Sequence, residues 1–121
     1  MAGKILASLK QKPHFLHNDF VLYLGDSTDI LNALPEDSID MIFADPPYML
    51  SNGGFTVHAG KMVSVNKGDW DKSQGFENDY QFHRRWLEAC YRVLKPEGTI
   101  WVSGTYHSIY QCGHAIQSTR L

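Results

Sequence analysis

The chain has 121 residues, of which 43% are hydrophobic, 20% charged and 12% aromatic, and its formal net charge is −2. This length fits one domain, and the composition excludes disordered chains, collagen-like repeats and disulfide-rich miniproteins. No apolar run approaches the roughly 20 residues that a membrane span requires. We therefore expect no contact with a membrane. The two widely separated cysteines, Cys90 and Cys112, favour a reduced, cytoplasmic chain.

Charge is distributed unevenly along the chain. Residues 1–18 contain three lysines and no acid, whereas residues 19–45 contain seven acids and no base. A dense acidic segment is not a nucleic-acid footprint, because binding to DNA depends on neutralising phosphates. We therefore separate an N-terminal basic segment, 1–18, from a folded portion, 19–121, and expect any contact with DNA to come from outside the acidic segment.

The first part of the folded portion predicts two strands joined by a short helix. Residues 20–24 predict a buried strand, and residues 39–44 predict a second strand that stops at two consecutive prolines. Between them, residues 28–34 have a helical pattern, and Asp26 or Ser27 is in position to cap its first turn.

Residues 49–76 form a predicted loop. They contain five glycines and little hydrophobic periodicity, and a loop this long in a small domain is more often functional or mobile than structural filler. Trp70 fits an anchor of this loop better than a direct catalytic role. The loop lysines, including Lys67, fit contacts with phosphate groups and also fit ordinary solvated side chains.

The clearest helical pattern covers residues 78–94. Asn78 at the N-cap position and Gln81 three residues later predict a capping box. A third strand, 99–103, and a final amphipathic helix, 106–117, complete the chain. Alternation of helices with nearly continuous apolar strands predicts a doubly wound α/β fold with three parallel strands.

Two tryptophans are predicted to be core residues, and the histidines are not predicted to bind a metal. Trp86 and Trp101 lie in apolar patterns of the long helix and the third strand, and we expect both in the core. The six histidines lack the spacing of metal ligands, so no metal site is assigned.

The most informative strand end is Asp45-Pro46-Pro47-Tyr48. Ligands of doubly wound sheets bind beyond the carboxyl ends of the strands. Here a carboxylate is followed by a carbonyl of fixed direction, because proline rings restrict φ, and by a flat aromatic ring. A lone Asp-Pro-Pro is most often a turn, but this combination also suits a planar ligand that carries an amino group.

The motif Asp45–Tyr48 resembles the catalytic motif of the DNA amino-methyltransferases, which use S-adenosylmethionine to methylate adenine N6 or cytosine N4. Segment 44–71 is most similar to methylases of GATC-type restriction systems. Other parts of the chain match the β-class of these enzymes in order and spacing: Gly25-Asp26, 69–71, Trp86, 93–96 and 98–104.

The resemblance implies a partial Rossmann-like, S-adenosylmethionine-dependent fold and gives roles to individual residues. Asp45 and Pro46 would accept hydrogen bonds from the target amino group, Pro47 would complete the motif, and Tyr48 would stack on the flipped base. Asp26 would lie near the cofactor together with Asp45, although a helix N-cap explains Asp26 equally well. Four residues of the target loop are candidates for contacts with DNA: Ser51, Asn52, Lys67 and Trp70.

The identity of the first motif residue bears on the target base. In this family serine usually stands there in enzymes that act on cytosine N4, whereas aspartate accompanies adenine. The resemblance therefore favours methylation of adenine N6 in DNA. An amino-methyltransferase acting on cytosine N4 or on RNA is the related alternative.

The resemblance also predicts that this chain is one portion of a longer enzyme. Members of this family are commonly more than twice as long, and this sequence contains no G-x-G motif. We expect 19–121 to be the catalytic N-terminal portion of a methyltransferase, incomplete at its C-terminus, in which only strands 39–44 and 99–103 are direct neighbours. A missing C-terminal half or a second subunit would complete it, and a non-enzymatic, partner-completed fragment is the alternative. Its place would be the cytoplasm, in a restriction-modification system encoded by a bacterium or a phage.

Overall fold

The computed structural model describes residues 2–51, 55–64 and 66–119. Its helices are α1 (Ala2–Ser8), α2 (Ser27–Ala33), α3 (Phe76–Val93) and α4 (Ile109–Thr119), with a 3₁₀ turn at Asp69–Asp71. Its strands are β1 (Phe15–His17), β2 (Phe20–Leu22), β3 (Ile39–Ala44), β4 (Phe55–His58), β5 (Lys61–Ser64) and β6 (Leu94–Val102). Within these residues no helix is long and apolar enough to cross a bilayer.

A parallel pair formed by β3 and β6 lies at the centre of the fold. Phe43 is the partner of Trp101, and Ala44 is the partner of Val102. The ladder continues past the strand ends, because the Ser103 N–H donates to the Ala44 carbonyl at 2.9 Å. Parallel neighbours need a long crossover connection, which here contains α3. The predicted adjacency of 39–44 and 99–103 is thus confirmed.

The remaining described strands form two antiparallel hairpins, β1–β2 and β4–β5. The strand predicted at 20–24 is shorter than expected and pairs with an unpredicted neighbour, so the described parallel sheet has two strands instead of three. This neighbour is β1, which is joined to β2 by a tight turn in which Asn18 has a positive φ of 49°. The wider doubly wound arrangement stays a prediction.

Helices α2, α3 and α4 cover one face of the parallel pair. Trp86 is buried among them, as predicted. Both cysteines are buried free thiols, and burial raises the pKa of each to about 11, as expected for inert packing residues. The buried cluster and the side chains packed on it include Ile42, Ala44, Leu87, Cys90, Ile100, Val102, Cys112 and Ala115.

The opposite face of the pair carries exposed apolar side chains. Trp101 is 64% exposed, so the prediction that it belongs to the core is wrong. Met41 and Phe43 are also exposed. Alternate residues of a strand point to opposite faces, and these three side chains lie on the face that none of the described helices buries.

Helices α2 and α4 begin near their predicted starts. The Asp26 carboxylate accepts from the backbone N–H groups of Thr28 and Asp29 at 2.8 and 3.2 Å, which confirms that Asp26 caps α2. Helix α4 begins at Ile109, later than predicted, because residues 106–108 form a turn before it.

The start of α3 corrects the predicted capping box. The helix has Gly75 at its N-cap position, with φ of 92°. Asn78 donates from its side-chain amide to the Gln74 carbonyl, and Gln81 pairs with another side chain. Instead, the Asp79 carboxylate accepts from the Gln74 N–H at 2.8 Å. An acid in the first turn thus holds the preceding loop against the helix, which also complements the helix dipole.

Arg92 ties α3 to the end of α2. Its guanidinium donates to the carbonyls of Leu31 and Leu34 at 2.8 and 2.6 Å, and the last carbonyls of a helix have no partner within the helix. We expect Arg92→Met, which keeps the apolar stem, to lower the free energy of unfolding by about 1–3 kcal/mol in urea denaturation.

The matched control for this substitution is Arg84→Met, also on α3. Arg84 forms an exposed ion pair with Glu88 one turn away, and such pairs contribute little to stability. The control should unfold at nearly the same urea concentration as the wild type. A loss of stability as large as that of Arg92→Met would contradict the interpretation.

His83 makes the stability of the fold depend on pH. It is fully buried, and its Nδ1 accepts from the Trp86 indole N–H at 3.1 Å. Burial lowers the pKa of His83 below its usual value, and Asp79 only partly opposes this shift. The folded state therefore binds fewer protons than the unfolded state, so stability is present above about pH 6.5 and lost as the pH falls.

We therefore expect the melting temperature to fall between about pH 7 and pH 5, and His83→Gln to weaken this dependence. His107→Gln, which changes an exposed histidine stacked on Tyr106, should leave the dependence intact. A wild-type melting temperature that stays constant over this range in scanning calorimetry would refute the prediction.

Candidate active site

The carboxyl ends of β3 and β6 lie side by side and bring two distant residues together. Asp45 follows β3 and Ser103 follows β6. Their strands are parallel neighbours, and the Ser103 Oγ also lies 3.3 Å from the Ala44 carbonyl oxygen. A short polar side chain therefore stands beside the first residue of the predicted motif.

Three oxygen atoms meet at this edge. The Asp45 Oδ1 lies 2.5 Å from the Ser103 Oγ and 2.8 Å from the Tyr48 hydroxyl, and the two hydroxyls are 3.0 Å apart. Each hydroxyl has one proton to donate. When Ser103 and Tyr48 both donate to the Asp45 Oδ1, each of these protons has an acceptor. No described residue donates to the Asp45 Oδ2, so this oxygen can accept from a ligand.

The hydrogen bonds also favour the ionised form of the Asp45 carboxyl group. Donation by Ser103, and then by Tyr48, lowers the pKa of this exposed carboxyl below its usual value, and the Lys67 ammonium contributes in the same direction. Asp45 is therefore ionised at neutral pH. An ionised carboxylate only accepts hydrogen bonds, which suits recognition of an amino group.

The Tyr48 ring is fixed between a rigid segment and a cation. Pro46 and Pro47, which precede it, are half-buried and have restricted φ. The Lys67 Nζ lies 5.1 Å from the centroid of the Tyr48 ring, in a cation–π arrangement. One face of this ring is thus occupied by an ammonium group.

A buried aspartate that sequence reasoning missed holds the segment after Tyr48. The Asp71 Oδ1 accepts from the N–H groups of Tyr48 and Met49 at 3.0 and 3.1 Å, and its Oδ2 accepts from the Leu50 N–H at 3.3 Å. Trp70, the predicted anchor of the loop, is 62% exposed, and the neighbouring Asp71 holds the loop instead. The resemblance includes segment 69–71 but assigns no role to Asp71.

The four loop candidates have different surroundings. Ser51 is buried, and its hydroxyl donates to the Asp71 Oδ2 at 2.8 Å and accepts from the Lys67 N–H at 2.9 Å. Lys67 lies at the site, whereas Trp70 is on the surface. Asn52 lies outside the described residues. Contacts of these residues with DNA stay predictions.

A cavity of about 580 Å³ lies between the start of α2 and the end of β3, a size typical of ligand sites. Asp26 and Asp45 both line it. Both cap bonds of Asp26 go to Oδ1, and no described residue donates to its Oδ2. A cavity with two carboxylates suits a ligand with hydroxyl or amino donors. Its apolar lining includes Ile30, Leu31, Ile42, Phe82 and Trp86.

Comparison with known proteins gives consistent matches. A family model described as DNA methylase, for the N6/N4 group, matches residues 39–119. The chain is 47% identical over 109 residues to the Type II methyltransferase M2.DpnII of Streptococcus pneumoniae, covering 90% of this chain and 41% of that protein. These matches confirm the resemblance that the motifs indicated.

Two further Type II methyltransferases agree. M2.LlaDCHI of Lactococcus lactis subsp. cremoris is 50% identical over 109 residues, and M2.MboI of Moraxella bovis is 42% identical over 111 residues. The matches cover 90% of this chain in both cases, with 40% and 41% of the two relatives. The chain thus spans about two fifths of the length of the curated relatives that it matches.

We expect Ser103→Ala to raise the pKa of Asp45, because Ser103 donates the hydrogen bond that lowers this pKa most. The carboxyl carbon of Asp45 can be titrated by NMR. The control is Ser38→Ala, which removes a hydroxyl that donates to the Pro35 carbonyl, away from the site. An unchanged Asp45 titration in Ser103→Ala would contradict the geometry described above.

Proposed function

Because the chain belongs to the DNA methylase family, we propose that it is the catalytic portion of a site-specific DNA methyltransferase that transfers a methyl group from S-adenosylmethionine to the N6 amino group of adenine. The observation that carries this proposal is the hydrogen bonding and position of the Asp45 carboxylate. Ser103 and Tyr48 hold its Oδ1, its Oδ2 has no described donor, and the side chain lines a ligand-sized cavity.

The proposed chemistry follows from the weakness of the nucleophile. The lone pair of an aromatic amino group is delocalised into the ring. Hydrogen bonds from this amino group to the Asp45 carboxylate and the Pro46 carbonyl draw the nitrogen towards tetrahedral geometry and free its lone pair. The lowered pKa of Asp45 favours this role of acceptor over that of a strong base, and correct orientation supplies most of the rate increase.

The cavity supports the proposed cofactor. S-adenosylmethionine, when bound, would supply an electrophilic methyl group: the electrons of the broken C–S bond would stay on sulfur, and the amino nitrogen would lose one proton to water. Asp26 would hold it through its Oδ2, which has no described donor, and Asp45, whose free oxygen is assigned to the target amino group, would border it in the same cavity. Carboxylates are suitable acceptors for the hydroxyl and ammonium donors of such a molecule.

The target base would reach this edge outside the duplex. An amino group within a base pair is inaccessible, so enzymes of this kind extrude the base, and Tyr48 provides an aromatic surface beside Asp45 on which it would stack. Lys67 and Trp70 would contact the surrounding DNA. Aspartate at the start of the motif favours adenine, and the resemblance of segment 44–71 to methylases of GATC-type restriction systems favours a GATC-type target. The similarity to Type II methyltransferases supports a place in a restriction-modification system.

We propose that methyl transfer also requires the part of the fold that the longer relatives contain, supplied by further sequence or by a second subunit. The chain spans 41% of M2.DpnII, and the exposed Met41, Phe43 and Trp101 leave one sheet face uncovered by described helices. Such an assembly would act on DNA in the cytoplasm of its bacterial host.

The test is methyl transfer in a complemented preparation. The chain would be mixed with the part of M2.DpnII outside the matched region, with DNA that contains GATC sites and with S-adenosylmethionine labelled in its methyl group. Mass spectrometry of the nucleosides should identify N6-methyladenine. N4-methylcytosine would overturn the adenine assignment, and cofactor binding without any methylated nucleoside would overturn the proposed reaction.

Asp45→Ala should lower the rate of transfer by at least about 100-fold, because it removes an acceptor at the reacting nitrogen. The matched control is Asp40→Ala, on the strand that Asp45 follows, which removes an exposed ion pair with Lys95. The control should retain nearly the full rate. Equal rates in the two variants would contradict the assignment of Asp45.

A further inference from the structure

We propose that Asp71 is a positioning residue of this active site: its carboxylate fixes residues 48–51 and so holds Tyr48 against Asp45. The inference rests on the proposed methyltransferase function, because it gives Asp71 a part in that reaction. Asp71 would not touch the substrate. It would act through Tyr48 and, by way of Ser51, through Lys67.

The first support is the convergence of successive donors on one side chain. The N–H groups of Tyr48, Met49 and Leu50 all point to the Asp71 carboxylate, and the Ser51 hydroxyl adds a fourth hydrogen bond. Consecutive N–H groups that face one point form an anion-binding concavity. Met49 has a positive φ of 58°, a conformation that non-glycine residues keep where the surroundings enforce it.

The second support is the burial of the carboxylate. Asp71 is fully buried, and burying such a group is costly unless hydrogen bonds satisfy it. Within the described residues no basic side chain pairs with it, since the neighbouring Lys72 pairs with Asp69. The donors of 48–51 therefore stabilise the position of Asp71, and their own positions depend on it in return.

The third support is the short connection from Asp71 to the reacting edge. The N–H of Tyr48 is held by Asp71, while its hydroxyl lies 2.8 Å from the Asp45 Oδ1. Pro46 and Pro47 restrict the chain on the other side of Tyr48. One residue thus connects both carboxylates, and misplacement by about 1 Å at a reacting centre can reduce a rate by about 100-fold.

Asp71 also sets the position of Lys67 through Ser51. The Ser51 Oγ donates to Asp71 and accepts from the Lys67 N–H. The Lys67 Nζ in turn lies over the Tyr48 ring. Both the backbone of Tyr48 and the cation above its ring therefore depend on one buried side chain.

The experiment compares Asp71→Asn with Asp69→Asn. Asparagine keeps the volume of aspartate but has a single acceptor oxygen and a donor in place of the other. Two of the four donors then lose their acceptor. Asp69 is a matched control because it lies two residues away in the same turn and its side chain is 96% exposed.

The first measurement does not depend on activity. Amide hydrogen exchange at Tyr48, Met49 and Leu50 should become at least about 10-fold faster in Asp71→Asn, because the segment opens more readily once two of its four hydrogen bonds to this side chain are lost. Exchange in β3 and β6 should stay as in the wild type, and Asp69→Asn should show no change. Unchanged exchange at these three amides would overturn the proposal, as would an equal increase across the parallel strands.

The second measurement separates positioning from general support. In the complemented methyl-transfer preparation, kcat of Asp71→Asn should fall by about 10- to 100-fold, while the Kd for S-adenosylmethionine stays within about twofold. If the wild type transfers methyl groups and Asp71→Asn has the same kcat, this inference is overturned and the proposed function stands. Absence of transfer by the wild type would defeat the proposed function, and the exchange result would still decide whether Asp71 positions Tyr48.

A second variant covers the case in which Asp71→Asn does not fold, as circular dichroism would show. Ser51→Ala removes one donor and the bridge to Lys67 but keeps the Asp71 side chain. It should accelerate exchange within 48–51 by at least about 3-fold and lower kcat by a similar factor. Wild-type behaviour of Ser51→Ala in both measurements would overturn the proposal.

Discussion

The parallel pairing of β3 and β6 is the constraint on which the arrangement of the site depends. Parallel neighbours end at the same edge of the sheet, which brings Asp45 to Ser103 across more than fifty residues of sequence. The connecting helix α3 must run back along the sheet before β6 begins. The segment between β3 and α3 therefore begins and ends at the carboxyl edge. Because Asp71 holds residues 48–51 of this segment, part of the long connection belongs to the candidate site.

Carboxylates perform different tasks in this chain according to their surroundings. Asp26 accepts from two backbone N–H groups and begins a helix, and Asp79 holds the loop that precedes α3. Asp71 accepts from three successive N–H groups in a buried position. Asp45 differs because its donors are hydroxyls on one oxygen only. These four aspartates thus act as hydrogen-bond acceptors for different partners, and Asp45 has one oxygen without a described donor.

Sequence patterns were sufficient where local chemistry determines the structure. Strand 39–44 and the Asp26 cap depend on neighbouring residues, and both are present as predicted. Trp86 lies on the apolar face of a long amphipathic helix, whose period identifies the buried side. The candidate site itself followed from the prolines that end β3, since they stop the ladder and fix the next groups in space.

Patterns failed where the outcome depends on distant partners, or on which of several neighbours a short strand pairs with. The apolar character of Trp101 does not tell which layer covers its face of the sheet, and the described helices cover the other face. The strand at 20–22 found an antiparallel neighbour across a turn, a choice that three-residue strands leave open. Asp71 gave no periodic signal, because its partners lie more than twenty residues earlier and are mostly backbone groups.

The cation above Tyr48 bears on how a base would occupy the proposed site. An exposed cation–π contact contributes about 0.5–1 kcal/mol, whereas stacking of a base on an aromatic ring contributes about 1–3 kcal/mol. A base that used the ring face under Lys67 would therefore displace the ammonium with a net gain. In the proposed complex with DNA, the released lysine would find a favourable place beside the phosphate backbone. The ammonium lowers the pKa of Asp45, and it would be a weak competitor for a base on the ring.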